Sequence, residues 1–501
     1  MRLLTNTKLY FKTNIMSNSE ESNQPNNQEF KQSLGLLDAT MLVSGSMIGS
    51  GIFIVAANMS RTVGASGWII MLWLLTGLVT IFGALCYGEL AGMMPKAGGQ
   101  FVYIQRAYGN IMAFLYGWTV FSVIQTGLIA AVAVAFSKYI GFFFPAISPE
   151  NIVLHVGFLN ITTQQIIAIL SIILLTFINS RGVQNGKIIQ LVLTLIKLVS
   201  LFGLILLGLF FAKHNFLAEN FQDMWSAKAF SKVADSNSST GFSITSIPLT
   251  GVALMLALGT GMIGSLFSSD AWYNVTFIAA EIKNPKRNIP LSLLLGTVIV
   301  TTLYILANLA YLNLMPIQDI MFAASDRVGA AAAQQIFGLS GAAIMSGLIV
   351  ISTFGCNSGL ILSGARVYYA MAKEGLFFPK AAFLNNFQVP GWALWAQCTW
   401  ASILCLSGTY NDLLDYCTFG ALIFFIVTTI AVFRLRTKEP EAERPVKVPF
   451  YPFLPILYIA IILVICFIVL YTQTANTGRG LLLILSGLPI YYIMKAVYPK
   501  K

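Results

Sequence analysis

The sequence predicts an all-α polytopic membrane protein, and three observations carry that prediction. The 501-residue chain is 57% hydrophobic and only 10% charged, a balance that would leave a soluble domain of this size with far too little polar surface. Its apolar residues gather into stretches of about 20, the length a helix needs to cross a bilayer. Its positive charges are unevenly shared between alternate loops. Twelve candidate spans lie at roughly 37–59, 67–93, 111–143, 163–180, 188–212, 252–280, 291–313, 340–370, 391–408, 413–434, 453–472 and 479–496. The tail, the even-to-odd loops and the C-terminus hold 22 of the 30 Lys and Arg, which by the positive-inside rule places both termini in the cytoplasm.

Residues 1–35 are rich in Asn, Gln and Ser and contain no apolar core, so they read as a disordered cytoplasmic tail rather than a signal peptide. Met16 is a second candidate start. Span 1 then carries the most informative segment of the chain, Gly45-Ser-Met-Ile-Gly-Ser-Gly-Ile-Phe53. Three glycines and two serines within seven residues make a poor helix interior. The apolar flanks reach across a bilayer only together. A helix broken at that depth frees backbone N–H and C=O groups, which lipid tolerates only where they line a cavity or hold a ligand.

Span 5 carries Lys197 in its middle. A lysine there costs roughly 2.5–3.5 kcal/mol on insertion scales, so a partner or a task is expected. Snorkelling is the bland alternative, but either helix end is about ten residues off, roughly 15 Å at 1.5 Å per residue. The segment 213–247 is polar and reads as an external loop. Span 6 is interrupted in turn, with Ser268, Ser269, Asp270 and Ala271 where apolar residues would be cheapest. Interrupted helices at corresponding positions of two halves are the sequence mark of a transporter site built from inverted repeats. Spans 1–5 and 6–10 are the expected repeats, about 36–212 and 252–434, with 453–496 appended. Between them, 434–452 is basic and carries four prolines, an extended linker into span 11.

The six cysteines all fall inside predicted spans, so no external disulfide is expected. Two histidines and no carboxylate cluster argue against a metal, and no cofactor is implied. The net charge of +11 follows topology and contact with anionic lipid, with no separate basic patch for nucleic acid. No catalytic triad, metal set or phosphate loop points to an enzyme, and no symmetric filter motif to a channel.

Several strings together resemble one family: GSMIGSGIF at 45–53, YGEL at 87–90, PKAGGQFVY at 95–103, EIKNPKRNIP at 281–290, ARVYYAMAKEG at 365–375 and RPVKVPFYP at 444–452. They are similar to the amino acid–polyamine–organocation superfamily of permeases, nearest its L-type amino acid transporter branch and bacterial relatives. The resemblance covers 36–472 and implies twelve helices in a five-plus-five inverted repeat of the leucine-transporter type, with helices 1 and 6 broken. It also implies a multi-pass protein of the plasma membrane, here the bacterial cytoplasmic membrane. Eukaryotic members are joined to a heavy chain by a cysteine in the loop after span 3; the matching loop here, Phe142 to Ile161, has none, so no disulfide-linked heavy chain is expected.

On this resemblance the first break binds the α-carboxylate of an amino acid through Gly49, Ser50 and Gly51, with Met47 and Ile48 offering carbonyls. Exposed amides at a helix N-terminus suit an anion; the rival reading is a small-residue packing face. Phe267 and Ser268 would offer carbonyls to the α-ammonium, and Phe267 would cover the substrate from outside. Asp270 has three readings that stay open: partner of the ammonium, proton carrier, or brace for the broken backbone. Human-type relatives often have Gly there. Trp272 beside it reads equally as core packing.

In sodium-coupled relatives an ion bridges spans 1 and 8, and in the L-type branch a span 5 lysine stands in that place. Lys197 would bond a carbonyl near Gly45–Ser46 and a span 8 hydroxyl, Ser352, which shares a helix face with Cys356. The expected function is secondary transport of amino acids by alternating access, most simply sodium-independent exchange of neutral ones. Proton-coupled symport, with Lys197 releasing its proton during the cycle, and a transporter-like sensor are the alternatives. Weaker candidates are Glu89 and Glu281, as interfacial charges or gate partners of Lys96, Lys283 or Arg366, and Tyr304, Asn308, Tyr416 and Phe419 as pocket walls.

Overall fold

The computed structural model of the chain describes residues 32–156, 159–182, 186–234 and 242–497. Most of the predicted N-terminal tail, Met16 included, and the serine-rich run at 235–240 lie outside the described residues.

Helix α1 (Leu36–Met47) begins where Asp38 accepts a 2.9 Å bond from the Gly35 amide, a carboxylate at the positive end of a helix. It stops at the glycine-serine run, and α2 (Gly51–Val63) resumes at an axis bent by 41°. Gly64, at φ +61°, closes α2 in the left-handed conformation that a residue without a Cβ adopts freely. Then follow α3 (Ser66–Met93), the short connecting helix α4 (Gln100–Tyr108) and α5 (Asn110–Phe143). A single π turn at Val120–Ile124 interrupts α5, a feature that often marks functional helices.

A small hairpin, β1 (Ile152–Val156) with β2 (Leu159–Thr162), leads into α6 (Thr163–Ser180), whose Thr162–Gln165 pair forms a capping box. Helix α7 (Gly186–Phe210) carries Lys197. The predicted external loop is not all loop: β3 (Lys228–Ala234) pairs antiparallel with β4 (Phe242–Pro248) in unbroken register. Serine and asparagine content hid the β-branched Ile244, Thr245 and Ile247, which pairing across a ladder rewards. This segment docks on the membrane helices. The Gly67 amide bonds Met224 O at 3.0 Å and Trp68 Nε1 bonds Trp225 O at 3.0 Å.

Helix α8 (Gly251–Ser268) ends at the second interruption, and a 3-10 segment follows at Trp272–Glu281. The bundle is completed by α9 (Pro285–Leu314), α10 (Val328–Lys373), α11 (Gly391–Ser407), α12 (Tyr410–Lys438), α13 (Phe453–Thr472) and α14 (Thr474–Val497). Gly338, at φ +65° and ψ −153°, breaks α10 just before the predicted start of span 8. Among the described residues ten helices are long and apolar enough to span, eleven with α1 and α2 taken as one; α11, at 17 residues, corresponds to the remaining predicted span.

The protein is therefore a mostly helical, multi-pass membrane protein, and its exposure pattern is inverted as lipid demands. Val199 and Phe202 on α7, and Val464 and Phe467 on α13, are exposed, whereas Ser50, Lys197, Ser268 and Asp270 are buried. The two interruptions sit in that interior, with α1 packed on α9, α2 on α8, and α10 against both α5 and α7.

Candidate functional site

The backbone breaks are in direct contact. A Cβ placed on Gly51 would overlap the Ser268 side chain and come within 2.9 Å of its Cα. Only glycine lets the start of α2 approach the end of α8 so closely. Because α2 starts there, the amides of Gly51 and Ile52 have no helical carbonyl one turn behind them, while the Phe53 amide turns back on Ser50 O at 3.1 Å. On the other side of the contact the chain leaves α8 through Ser269 and Asp270 to Ala271, a non-glycine residue at φ +64°. That conformation costs of order 1–3 kcal/mol and persists only where its surroundings enforce it.

Lys197 lies against the first break. Its Nζ donates to Gly45 O at 2.6 Å and to Ile48 O at 3.2 Å, and the residue is wholly buried. Gly45 makes this possible: a Cβ there would stand 2.6 Å from Thr194 Oγ1, one turn before Lys197 on α7. The ammonium thus satisfies two of the carbonyls that the end of α1 leaves free. The expected bond to Ser352 is not made. Ser352 Oγ is buried without a partner, and α10 instead presents Cys356, whose Sγ lies 3.5 Å from Ser46 O. Cys356 stands one turn further along the same helix face as Ser352.

Tyr304 of α9, a weak candidate in the sequence, joins the two breaks. Its hydroxyl lies 2.9 Å from Met47 O and 3.0 Å from Ser268 O and donates into that pair. Asn308, one turn on, bonds back to Tyr304 O at 2.8 Å. Phe267 O accepts the Asp270 amide at 3.1 Å, so the carbonyls expected to meet a ligand are engaged within the protein. Each carbonyl keeps a second lone pair.

A small cavity opens at the junction. Ser46, Met47 and Gly49–Gly51 wall one side, Phe267, Ser268 and Asp270 the other, with Leu128 and Val132 of α5 and Cys356 and Leu360 of α10 between. Asp270 also borders a second cavity behind the α8 break, beside Thr80, Thr418 and Tyr458. Its Oδ1 is buried and has no hydrogen-bond partner. Trp272 packs edge-on against Tyr87, ring centroids 4.8 Å apart, within an aromatic cluster that includes Tyr273 and Phe425. Tyr416 and Phe419 border neither of these cavities. Tyr416 faces Ser407 Oγ at 3.4 Å.

The charges at the ends of spans 2 and 6 sort differently from expectation. Glu89 is buried and forms a two-pronged pair with Arg436 (2.9 and 2.5 Å), while also accepting the Val448 amide at 2.8 Å. Neither Lys96 nor Lys283 pairs with it; its partners are Arg436 in the last turn of α12 and the Val448 amide of the strap that follows. Glu281 does pair with Arg366, at 2.8 Å. Two groups escaped the sequence reading altogether. Tyr410, at the start of α12, has its hydroxyl 3.2 Å from Ser50 Oγ. Asp326, before α10, pairs with Arg61 at 2.7 Å and Lys138 at 3.6 Å. Such contacts join residues hundreds of positions apart, and no local pattern marks them. Among the described residues no three His, Cys, Asp or Glu side chains gather to hold a metal.

A chain with this site has well-characterised kin. The profile of the amino acid permease family matches residues 34–494. The chain is 30% identical to the serine/threonine exchanger of Bacillus subtilis, across 93% of its own length and 97% of that protein's. It is 28% identical to the human b(0,+)-type amino acid transporter 1, across 95% and 90% respectively. It is likewise 28% identical to the mouse large neutral amino acids transporter small subunit 2, across 92% and 81%.

Proposed function

The chain belongs to the amino acid permease family, a family of transporters rather than enzymes, and from that premise we propose that it exchanges neutral amino acids without sodium, by alternating access. The observation that carries the reading is Lys197. Its Nζ bonds Gly45 O and Ile48 O, and in this reading it stays protonated through the cycle, a positive charge against the first break where sodium-coupled relatives hold the ion. A site so filled has no vacancy for a second cation, since like charges at that distance in a buried setting repel strongly.

In this reading the substrate's carboxylate meets the first amides of α2 at Ser50 and Gly51, where the helix dipole favours an anion. Its ammonium shares the carbonyls of Met47, Phe267 and Ser268, and Phe267 covers it. Its side chain faces Leu128, Val132 and Leu360. The two breaks belong to inverted repeats at 36–212 and 252–434, with α13 and α14 appended, and both termini are cytoplasmic in a bacterial inner membrane. The deciding experiment is uptake of radiolabelled L-serine and L-leucine by proteoliposomes at symmetric pH, with and without internal amino acid. Uptake that requires internal substrate and survives replacement of sodium by choline is the expected result. A rate that collapses in choline removes the role given to Lys197.

One observation favours a second reading, proton-coupled uptake. Asp270 holds an unpartnered carboxylate oxygen at mid-membrane, and ionisable groups there are commonly proton relays. Uptake driven by a pH gradient into vesicles empty of amino acid would establish it.

A further inference from the structure

Ser50 is the one side chain of the first break that is held from outside the two broken helices. Its Oγ lies 3.2 Å from Tyr410 Oη, and both residues are buried. Tyr410 is fixed in turn. Thr409 and Asp412 form a reciprocal cap at the start of α12, which sets the first turn of that helix. The tyrosine ring meets Phe267 edge-to-face, centroids 6.0 Å apart at 80°, so it backs the residue that covers the cavity. Lys138 Nζ stands 5.9 Å from the centre of the same ring, within cation–π range.

From Lys138 the connection runs to the segment between α9 and α10. Asp326 takes Arg61 of α2 on Oδ1 and Lys138 of α5 on Oδ2. Arg61 also bonds Met321 O at 2.5 Å, and Arg327 bonds Lys138 O at 3.3 Å. One carboxylate therefore fastens α2 and α5, which line the cavity, and reaches α12 through the Lys138–Tyr410 ring contact. Tyr139 adds a 2.9 Å bond to Phe53 O in the same layer.

The geometry points to Tyr410 as a positioning residue of the transport cycle. It seals the cavity on the Asp326 face, orients the Ser50 hydroxyl, and is held in that place by the Asp326–Lys138–Arg61 cluster. The inference rests on the reading of the two breaks as the binding site. Opening toward that face then requires Asp326 to release Lys138 and Arg61, so that Tyr410 swings off Ser50. Closing restores the seat and presents the hydroxyl and the α2 amides together. The hydroxyl, not the ring, makes the seat, which separates Tyr410 from a residue that merely fills space.

Cys356 provides a native reporter, since it lines the cavity and is buried. A charged, membrane-impermeant methanethiosulfonate reagent is applied to intact cells expressing the full chain, and in parallel to inside-out vesicles. Modification of Cys356 is followed by mass spectrometry. From the Asp326 face, Tyr410→Phe and Asp326→Asn are each expected to raise the labelling rate at least fivefold over wild type. From the opposite face the rate should stay within twofold. An unchanged rate from the Asp326 face in both variants overturns the inference, as does an equal rise from both faces, which would mean general loosening. Asp326→Asn lies at the rim and keeps the side chain's size, so a folding defect in the tyrosine variant does not void the test. Labelling needs no transport; if wild-type vesicles fail to exchange amino acids while labelling stays sided, the transport reading falls and the seal stands.

Discussion

Lys197, Gly51 and Asp270 show how far single residues could be read in advance. The lysine was legible because a charge at the centre of an apolar helix is expensive and needs a reason. Its carbonyl partners were legible because the glycine-serine run had to free some. Its supposed partner Ser352 was not, since a helix face can be read from spacing but the turn that makes contact depends on how helices slide past one another. Lys197→Ala is expected to cut exchange at least tenfold: two buried carbonyls lose their donor, at about 1–3 kcal/mol each, and 1.4 kcal/mol is a factor of ten. The measurement is initial exchange rate at equal protein in proteoliposomes. Gly51→Ala would drive a methyl into Ser268, parting the two breaks. Competition by unlabelled L-leucine against its radiolabelled form should weaken at least tenfold; unaltered competition would mean the contact is dispensable. Leucine amide and N-acetyl-leucine should also compete at least tenfold more weakly than leucine itself, and an amide as potent as the acid would remove the carboxylate site. Asp270→Asn keeps shape and hydrogen bonding but not charge, so near-normal rate and affinity in that variant would leave only the bracing role.

At the scale of elements, helix ends were set by chemistry visible in the chain. The Gly64 stop of α2, the Thr162–Gln165 and Thr409–Asp412 caps and the Gly338 interruption are all local. The β3–β4 hairpin was not, because composition outweighed a short alternation. Nor was the strap after α12 legible as structure: its prolines read as an extended linker, yet Glu89 fastens it. Arg444 adds bonds to the carbonyls of Leu435 and Glu439, and Arg106 grips Glu439, holding that carboxyl below its ordinary range. A carboxylate 1% exposed that accepts from a guanidinium and a backbone amide leaves both stranded when removed. Glu89→Ala is expected to lower stability by about 3 kcal/mol. Thermal unfolding of the purified protein should report it, with Glu443→Ala, whose pairing with Lys286 is exposed, changing little. Equal midpoints for both variants would show that the strap bears no weight.

For the whole molecule, the mostly helical, multi-pass class was legible because lipid punishes polar groups wherever they lack a purpose. The seal at the Asp326 end was not, since it is made by a loop and helix tips meeting across the bundle. The loop from Phe142 to Ile161 has no cysteine and the six described cysteines are free, so purified protein alone should exchange amino acids after reconstitution. Activity that appears only with a co-purifying second polypeptide would overturn that expectation. The seal over the cavity is partly wet: at the Asp326 end the charged side chains of Arg61, Asp326 and Lys138 are 23%, 27% and 17% exposed. Dissolved ions reach the Asp326 set; the Debye length shrinks from about 8 Å at 0.15 M to about 3 Å at 1 M. Ionic strength is then a control on that cluster: concentrated choline chloride should hasten Cys356 labelling from the Asp326 face, tilting the resting population of the protein without touching its substrate.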